Sequence, residues 1–173
     1  MVFIMSQDIR ISLKDIYRIL ERQEKTRLTI NGRKYIIKTD ATKNCDDAMY
    51  MFLFDETSED KVAYITSGYC YDGNPLTEQL NNHLYSFVFG YRTYEPYRNK
   101  GIMTRFIQQV TSVILSEYDS VVLIIMASNK RSEKVAIKNG YNHIRDYIVE
   151  DLYDVKITYP IYIKTKETNN EKL

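Results

Sequence analysis

"LYSFVFGYRTYEPYRNKGIMTRFIQQVTSVILSEYDSVVLIIM", residues 84–126, decides the fold. In its first part Tyr85, Phe87, Phe89 and Tyr91 alternate with smaller or polar neighbours, the period of a strand. After Gly101 the period changes: Met103, Phe106, Ile107, Val110, Val113 and Ile114 recur at helical spacing, so a helix of about four turns begins near Ile102. "VVLIIM", residues 121–126, is apolar on both faces, which fits a buried strand lying parallel to the first beyond the intervening helix. Residues 95–101 therefore sit where a strand ends and a helix begins.

Upstream, "TRLTINGRKYIIKT", residues 26–39, places Asn31-Gly32 between two β-prone runs. Both central residues of a type I′ turn need positive φ, so this pair signals a hairpin. "MYMFLFDETSEDKVAYIT", residues 49–66, repeats the pattern around a longer acidic loop. Ahead of both, Ser12 and Asp15 resemble a capping box, and Leu13, Ile16, Tyr17 and Leu20 mark a helix to about residue 24. "YCYDGNPLTEQLNNH", residues 69–83, is turn-rich and polar and is expected to be an exposed loop. Downstream, "SEKVAIKNG" gives a short helix with Gly140 as its C′ residue. "YNHIRDYIV" and "VKITYPIYI" then form two strands suited to antiparallel pairing. One domain over residues 1–163 is expected, with a frayed tail over 164–173.

A net charge of +1 supplies no electrostatic footprint for a long nucleic-acid tract, so DNA is not an expected partner. Cys45 and Cys70 stand far apart with no CxxC, and there are only two histidines, which indicates neither a disulfide framework nor a zinc site. A reducing, cytoplasmic setting fits. "MVFIMSQDIR" is too short an apolar start for a signal or a span, and no other run suits a membrane. A homodimer stays open.

"EPYRNKGIMTRFI", residues 95–107, sets Arg98, Lys100 and Gly101 at the start of a helix. The first turn of a helix exposes backbone N–H groups and the positive end of its dipole, and a glycine lets an anion approach closely. The stretch suits a phosphate or diphosphate, with a solvated surface turn as the alternative. It lacks the lysine and hydroxyl that follow the glycine of a P-loop, and no GxGxxG is present.

Two stretches taken together narrow this. "YRNKGIMTRFI", residues 97–107, followed by "SNKRSEKVAIKNGY", residues 128–141, resembles the GCN5-related N-acetyltransferase family, whose R/Q-x-x-G-x-G/A holds the coenzyme A diphosphate. "KGIMT" and the N-x-x-S of the second stretch are most similar to the branch of ribosomal-protein N-terminal acetyltransferases. The resemblance covers roughly residues 85–163. It implies an α+β, three-layer fold: a mixed, mostly antiparallel central sheet with helices on both faces and a splayed parallel strand pair. It implies acetyl-CoA as acyl donor and transfer of the acetyl group by direct attack of a primary amine. The backbone of Tyr91, Arg92 and Thr93 would bond the pantetheine arm, and Arg98, Asn99, Lys100, Gly101, Ile102, Met103 and Thr104 would wrap the diphosphate. Asn129 would hold the pantetheine further along, with Ser132 near the thioester sulfur. Asn129 or Ser132 would also serve simply as helix caps.

This sequence departs from the family in three places. Met103 stands where a small residue is usual, Ala136 where many members carry a tyrosine that protonates the leaving thiolate, and "VVLIIM" lacks the glutamate some members use as base. The similar branch places an acidic residue near Glu150 and Asp151, which makes these two the candidate base, the alternative being an ordinary acidic loop, with Tyr85, Tyr91, His83 and His143 behind them. A lysine of pKa ~10.4 must spend about 4.6 kcal/mol on deprotonation at pH 7, against about 1 kcal/mol for an α-amine. A weak base therefore suffices for a chain terminus. The resemblance favours a protein or peptide N-terminus as acceptor over a polyamine, an antibiotic or another small amine. A non-catalytic acyl-CoA-binding module is the alternative from another class, and near-neutral charge argues against an aminoacyl-tRNA acceptor. Tyr69, Tyr71, Tyr94 and Tyr97, in or beside loops, are candidates to line an acceptor pocket.

Overall fold

Leu13, Ile16, Ile19 and Leu20 fall on one face of helix α1 (Leu13–Arg22) and are all buried. The computed structural model describes residues 13–39, 50–67, 86–118, 120–150 and 153–166. After α1 come β1 (Arg27–Ile30) and β2 (Arg33–Thr39), then β3 (Tyr50–Asp55) and β4 (Lys61–Ser67). The β1–β2 turn has Asn31 at φ 50° and Gly32 at φ 78°, as a type I′ hairpin demands. In the acidic β3–β4 loop the buried Asp55 carboxylate accepts from the N–H groups of Thr57 (2.8 Å) and Ser58 (3.2 Å), which satisfies it and closes the turn.

The second half runs β5 (Ser86–Thr93), a 3-10 turn (Glu95–Tyr97), α2 (Ile102–Glu117), β6 (Ser120–Ile124), α3 (Lys130–Lys138), β7 (Asn142–Glu150) and β8 (Lys156–Thr165). Lys164 and Thr165 thus belong to a strand. α3 ends as a Schellman motif, in which Tyr141 N–H donates to the Ala136 carbonyl at 3.1 Å and Gly140 N–H to Ile137 at 3.0 Å. Among the described residues eight strands form one sheet in the order β1-β2-β3-β4-β5-β6-β8-β7, and only β5 and β6 pair in parallel.

Among the described residues all three helices contribute to one core, formed by α1, α2, Ala136 of α3 and alternate residues of the sheet such as Met51, Leu53, Ala63, Ile65, Val121 and Leu123. The connections explain this. β7 and β6 are both antiparallel to β8, so β5–α2–β6 and β6–α3–β7 are two parallel crossovers that advance in the same direction along the sheet. Right-handed crossovers of that kind put their helices on the same side. α1 joins them through Gln23 Nε2, which donates to Ser116 Oγ at 2.7 Å, and through the Arg22–Glu117 ion pair.

The opposite face carries a smaller cluster of Val122, Ile161 and Ile163. Beside it, on β3 and β4, lie the rings of Tyr50, Phe52, Phe54 and Tyr64, with neighbouring centroids 5.5–6.2 Å apart and Tyr94 against Tyr64. Lys61 covers the Phe52 ring at 4.3 Å. No helix among the described residues is long and apolar enough to cross a membrane, and among them no three His, Cys, Asp or Glu side chains cluster to hold a metal. Ser12, Cys45, Cys70, His83, Asp151 and the 69–83 loop lie outside the described residues.

Candidate functional site

β5 and β6 pair over Ser86↔Ser120, Phe87↔Val121 and Val88↔Val122 and then part. β5 stays with β4 as far as Ala63↔Thr93, while β6 stays with β8 as far as Ile124↔Ile161. The sheet therefore opens into a V at the carboxyl ends of its two parallel strands. Tyr94 N–H donates to the Val62 carbonyl at 3.0 Å. In an antiparallel ladder the hydrogen-bonding direction alternates, so the backbone groups of Arg92 face β4 and those of Tyr91 and Thr93 face the opening. Of the three strand residues expected to offer their backbone, Arg92 turns its own towards β4, although the residue borders the cavity.

The floor of the V is the start of α2. Asn99 (φ 61°) and Gly101 (φ 72°) both take the left-handed conformation, which turns the chain into the helix. Gly101 is the N-cap, and no side chain caps the helix. The first intrahelical bond runs from Arg105 N–H to the Gly101 carbonyl at 3.2 Å, so the N–H groups of Ile102, Met103 and Thr104 precede it. A Cβ on Gly101 would meet nothing within 4 Å among the described residues, so on their side the space beside this backbone is open. Arg98 is held at the rim, its Nε donating to the Thr93 carbonyl at 3.2 Å. Met103 packs into the core at 7% exposure, so the helix start turns most of it away from the opening. Lys100 alone of residues 98–104 does not border the cavity. Its carbonyl accepts from Asn31 Nδ2 at 3.3 Å and its ammonium lies 5.6 Å from the Tyr97 ring centre.

α3 forms the far wall. Asn129 Oδ1 accepts from Ser132 N–H at 3.1 Å, so Asn129 is the N-cap, and both residues also border the cavity. The Tyr91 hydroxyl donates to the Ser132 carbonyl at 2.8 Å and links the strand to this wall. Burial pushes that phenol up to about 12 despite the hydrogen bond, so it is a neutral donor at physiological pH. Asn139, 6% exposed, ties the two helices: its Nδ2 donates to the Thr104 carbonyl at 3.2 Å and to Val135 at 2.9 Å.

These walls enclose about 900 Å³. Tyr91, Arg92, Thr93, Arg98, Asn99, Gly101, Ile102, Met103, Thr104, Asn129 and Ser132 all border it, and Glu150 does not. Glu150 is the exposed last residue of β7, paired with Lys156, because the β7–β8 hairpin carries it away from the V. His143 is likewise on β7, with its Nε2 2.7 Å from Asp146 Oδ1. Among the described residues no carboxylate or imidazole borders the cavity, whereas Arg92, Arg98, Arg131, Lys134 and Lys138 do. Sequence reasoning missed the last three. Their spacing puts them on one face of α3, which is a legible signal, but nothing local says that this face meets the cavity.

The family model described as an acetyltransferase (GNAT) domain matches residues 13–142. The acetyltransferase (GNAT family) from Bacillus anthracis superposes with a TM-score of 0.55 at 14% identity, over 70% of this chain and 68% of that one. Ribosomal-protein-S5-alanine acetyltransferase from Vibrio fischeri gives 0.54 at 16% identity, over 72% and 63%. The Salmonella typhimurium acetyltransferase yncA, described with its cofactor acetyl-CoA, gives 0.53 at 12% identity, over 72% and 69%. At such identities the superpositions speak for the fold. No curated protein matches the sequence. The family model spans well over half of the 173 residues, and the chain belongs to the GNAT acetyltransferase family.

Proposed function

We propose that the protein moves an acetyl group from acetyl-CoA to a primary amine, and that the acceptor is the α-amine of a protein or peptide. The observation that carries the donor is the V-shaped cavity, where left-handed Gly101 opens the first turn of α2 next to the splayed end of β5. The residues fit the coenzyme. Uncapped N–H groups with Arg98 beside them suit the diphosphate, and the inward backbone of Tyr91 and Thr93 suits the amide-bearing pantetheine arm. Asn129 and Ser132 stand along the opposite wall. The coenzyme would supply a thioester: the amine nitrogen forms the new C–N bond and gives up one proton to water, the C–S bond breaks, and the thiolate takes up a proton. The Ser132 hydroxyl borders the cavity on that wall and is suited to give that proton, in place of the tyrosine that Ala136 replaces.

The acceptor class rests on charge. A cavity bordered by five cations and, among the described residues, by no carboxylate or imidazole repels a polycation and offers no strong base. An α-amine, neutral in a substantial fraction near pH 7.5, reacts without one, whereas a lysine does not. The same lack of a base, with Ala136, favours a second reading, a non-catalytic acyl-CoA-binding module.

Mass spectrometry after incubation with acetyl-CoA tests this on two peptides, one with a free N-terminus and no lysine, one N-terminally blocked with a lysine. Acetylation of the first is expected, with a rate that rises with pH up to about pH 8 and then levels. Label on the lysine peptide alone would overturn the acceptor. Coenzyme binding with no transfer to any amine would favour the second reading.

A further inference from the structure

α3 carries four basic residues and one acidic one, and their partners divide them into two sets. Lys130 is neutralised: its Nζ lies 2.8 Å from Glu133 Oε2, and Glu133 Oε1 accepts from the Tyr162 hydroxyl at 2.9 Å. Both oxygens of the helix's one carboxylate are thereby engaged. Arg131, Lys134 and Lys138 are exposed, border the cavity, and have no carboxylate within 4 Å among the described residues. Residues three and four apart share a helix face, so these three cations stand in one row, with Lys134 and Lys138 about 6 Å apart along the axis.

The row is aimed by Asn139. Its side chain donates to the Thr104 carbonyl in the first turn of α2, which brings the carboxyl end of α3 beside the N–H groups there. Lys138 directly precedes Asn139, so Lys138 and Lys134 are the cations of this wall nearest that turn. The α2 terminus and Arg98 already provide for one diphosphate. Unpaired like charges in a row are unfavourable for the free protein, and a dianion between them would relieve the repulsion.

Resting on the reading of the cavity as a coenzyme A site, we propose that Lys134 and Lys138 bind the 3′-phosphate of the coenzyme and make the protein select coenzyme A over its dephospho form. A phosphate monoester is close to dianionic at neutral pH and accepts from several ammonium donors, which the diphosphate bridge does less well.

Calorimetric titration of the whole chain with acetyl-CoA and with acetyl-dephospho-CoA tests this, using wild type and the double variant Lys134→Gln/Lys138→Gln. Both lysines are exposed, and a thermal melt checks that the variant folds. Wild type is expected to prefer acetyl-CoA by about tenfold or more. In the variant the preference should fall to within about twofold, with affinity for acetyl-dephospho-CoA unchanged. No preference in wild type would overturn the assignment, as would a preference that survives in the variant. An equal loss for both ligands would also overturn it, and would give the lysines to the diphosphate instead. If wild type bound neither ligand, the coenzyme reading itself would fail and this assignment with it.

Discussion

Exchanging Gly101 for asparagine and, in parallel, for aspartate changes one charge at constant shape. At φ 72° the position is left-handed, a conformation that asparagine and aspartate enter more readily than other L residues. Each variant should lose about 1–2 kcal/mol of stability relative to glycine from backbone strain. A Cβ there meets no heavy atom of the described residues within 4 Å, so neither adds a clash with them, and both side chains extend from the rim of the cavity. What separates them is the carboxylate. At about 5 Å from one phosphate charge the repulsion is about 0.8 kcal/mol at the dielectric of water and about 3 kcal/mol at an effective value of ~20. Acetyl-CoA should therefore bind the aspartate variant more weakly than the asparagine variant by a factor between about four and a few hundred. Calorimetry reads the affinities, thermal melts establish that both variants are equally folded, and added salt should narrow the gap. Equal affinities would refute the placement of an anion at this turn.

Asn139→Ala removes the donors to Thr104 and Val135 and should lower stability by about 1–3 kcal/mol, read from urea unfolding. Phe106, fully buried beneath the sheet, should cost about 3–5 kcal/mol on truncation to alanine, measured the same way. Burial first, and then the hydrogen bond to Glu133, push the Tyr162 phenol up to about 12. A folded value above the unfolded one means that the native state keeps this proton longer. Its contribution to stability is complete below about pH 10 and disappears as pH rises towards 12. Denaturation at a series of alkaline pH values should show a shallower decline for Tyr162→Phe than for wild type.

Features set by neighbouring residues were legible in the sequence. Asn31-Gly32 makes its hairpin, Gly101 opens α2 and Gly140 closes α3, because each is decided by the conformation of a few adjacent residues. Features set by distant pairing were not. Whether Arg92 turns its backbone towards β4 or towards the V depends on which strand residues face each other, and a shift of one position reverses the answer. Glu150 was a candidate base because the similar branch carries an acidic residue in that region, but its place in space follows from the β7–β8 register. The common side of the helices comes from the order of β8 and β7 in the sheet, which no local pattern encodes. The basic row of α3 is half legible: its spacing is local, and its orientation towards the cavity is imposed by the crossover that carries it.

The three residue pairs joining β5 to β6 divide the eight strands into a five-strand plate and a three-strand plate that share a narrow seam. Such a seam is where partial opening takes the least free energy, so the amides of residues 86–88 and 120–122 are natural reporters of breathing between the plates. A ligand lying along the V touches both plates at once and closes a mechanical gap that the polypeptide leaves. Occupancy would then act as a brace, slowing proton exchange along the seam and raising the melting temperature in proportion to the logarithm of ligand concentration.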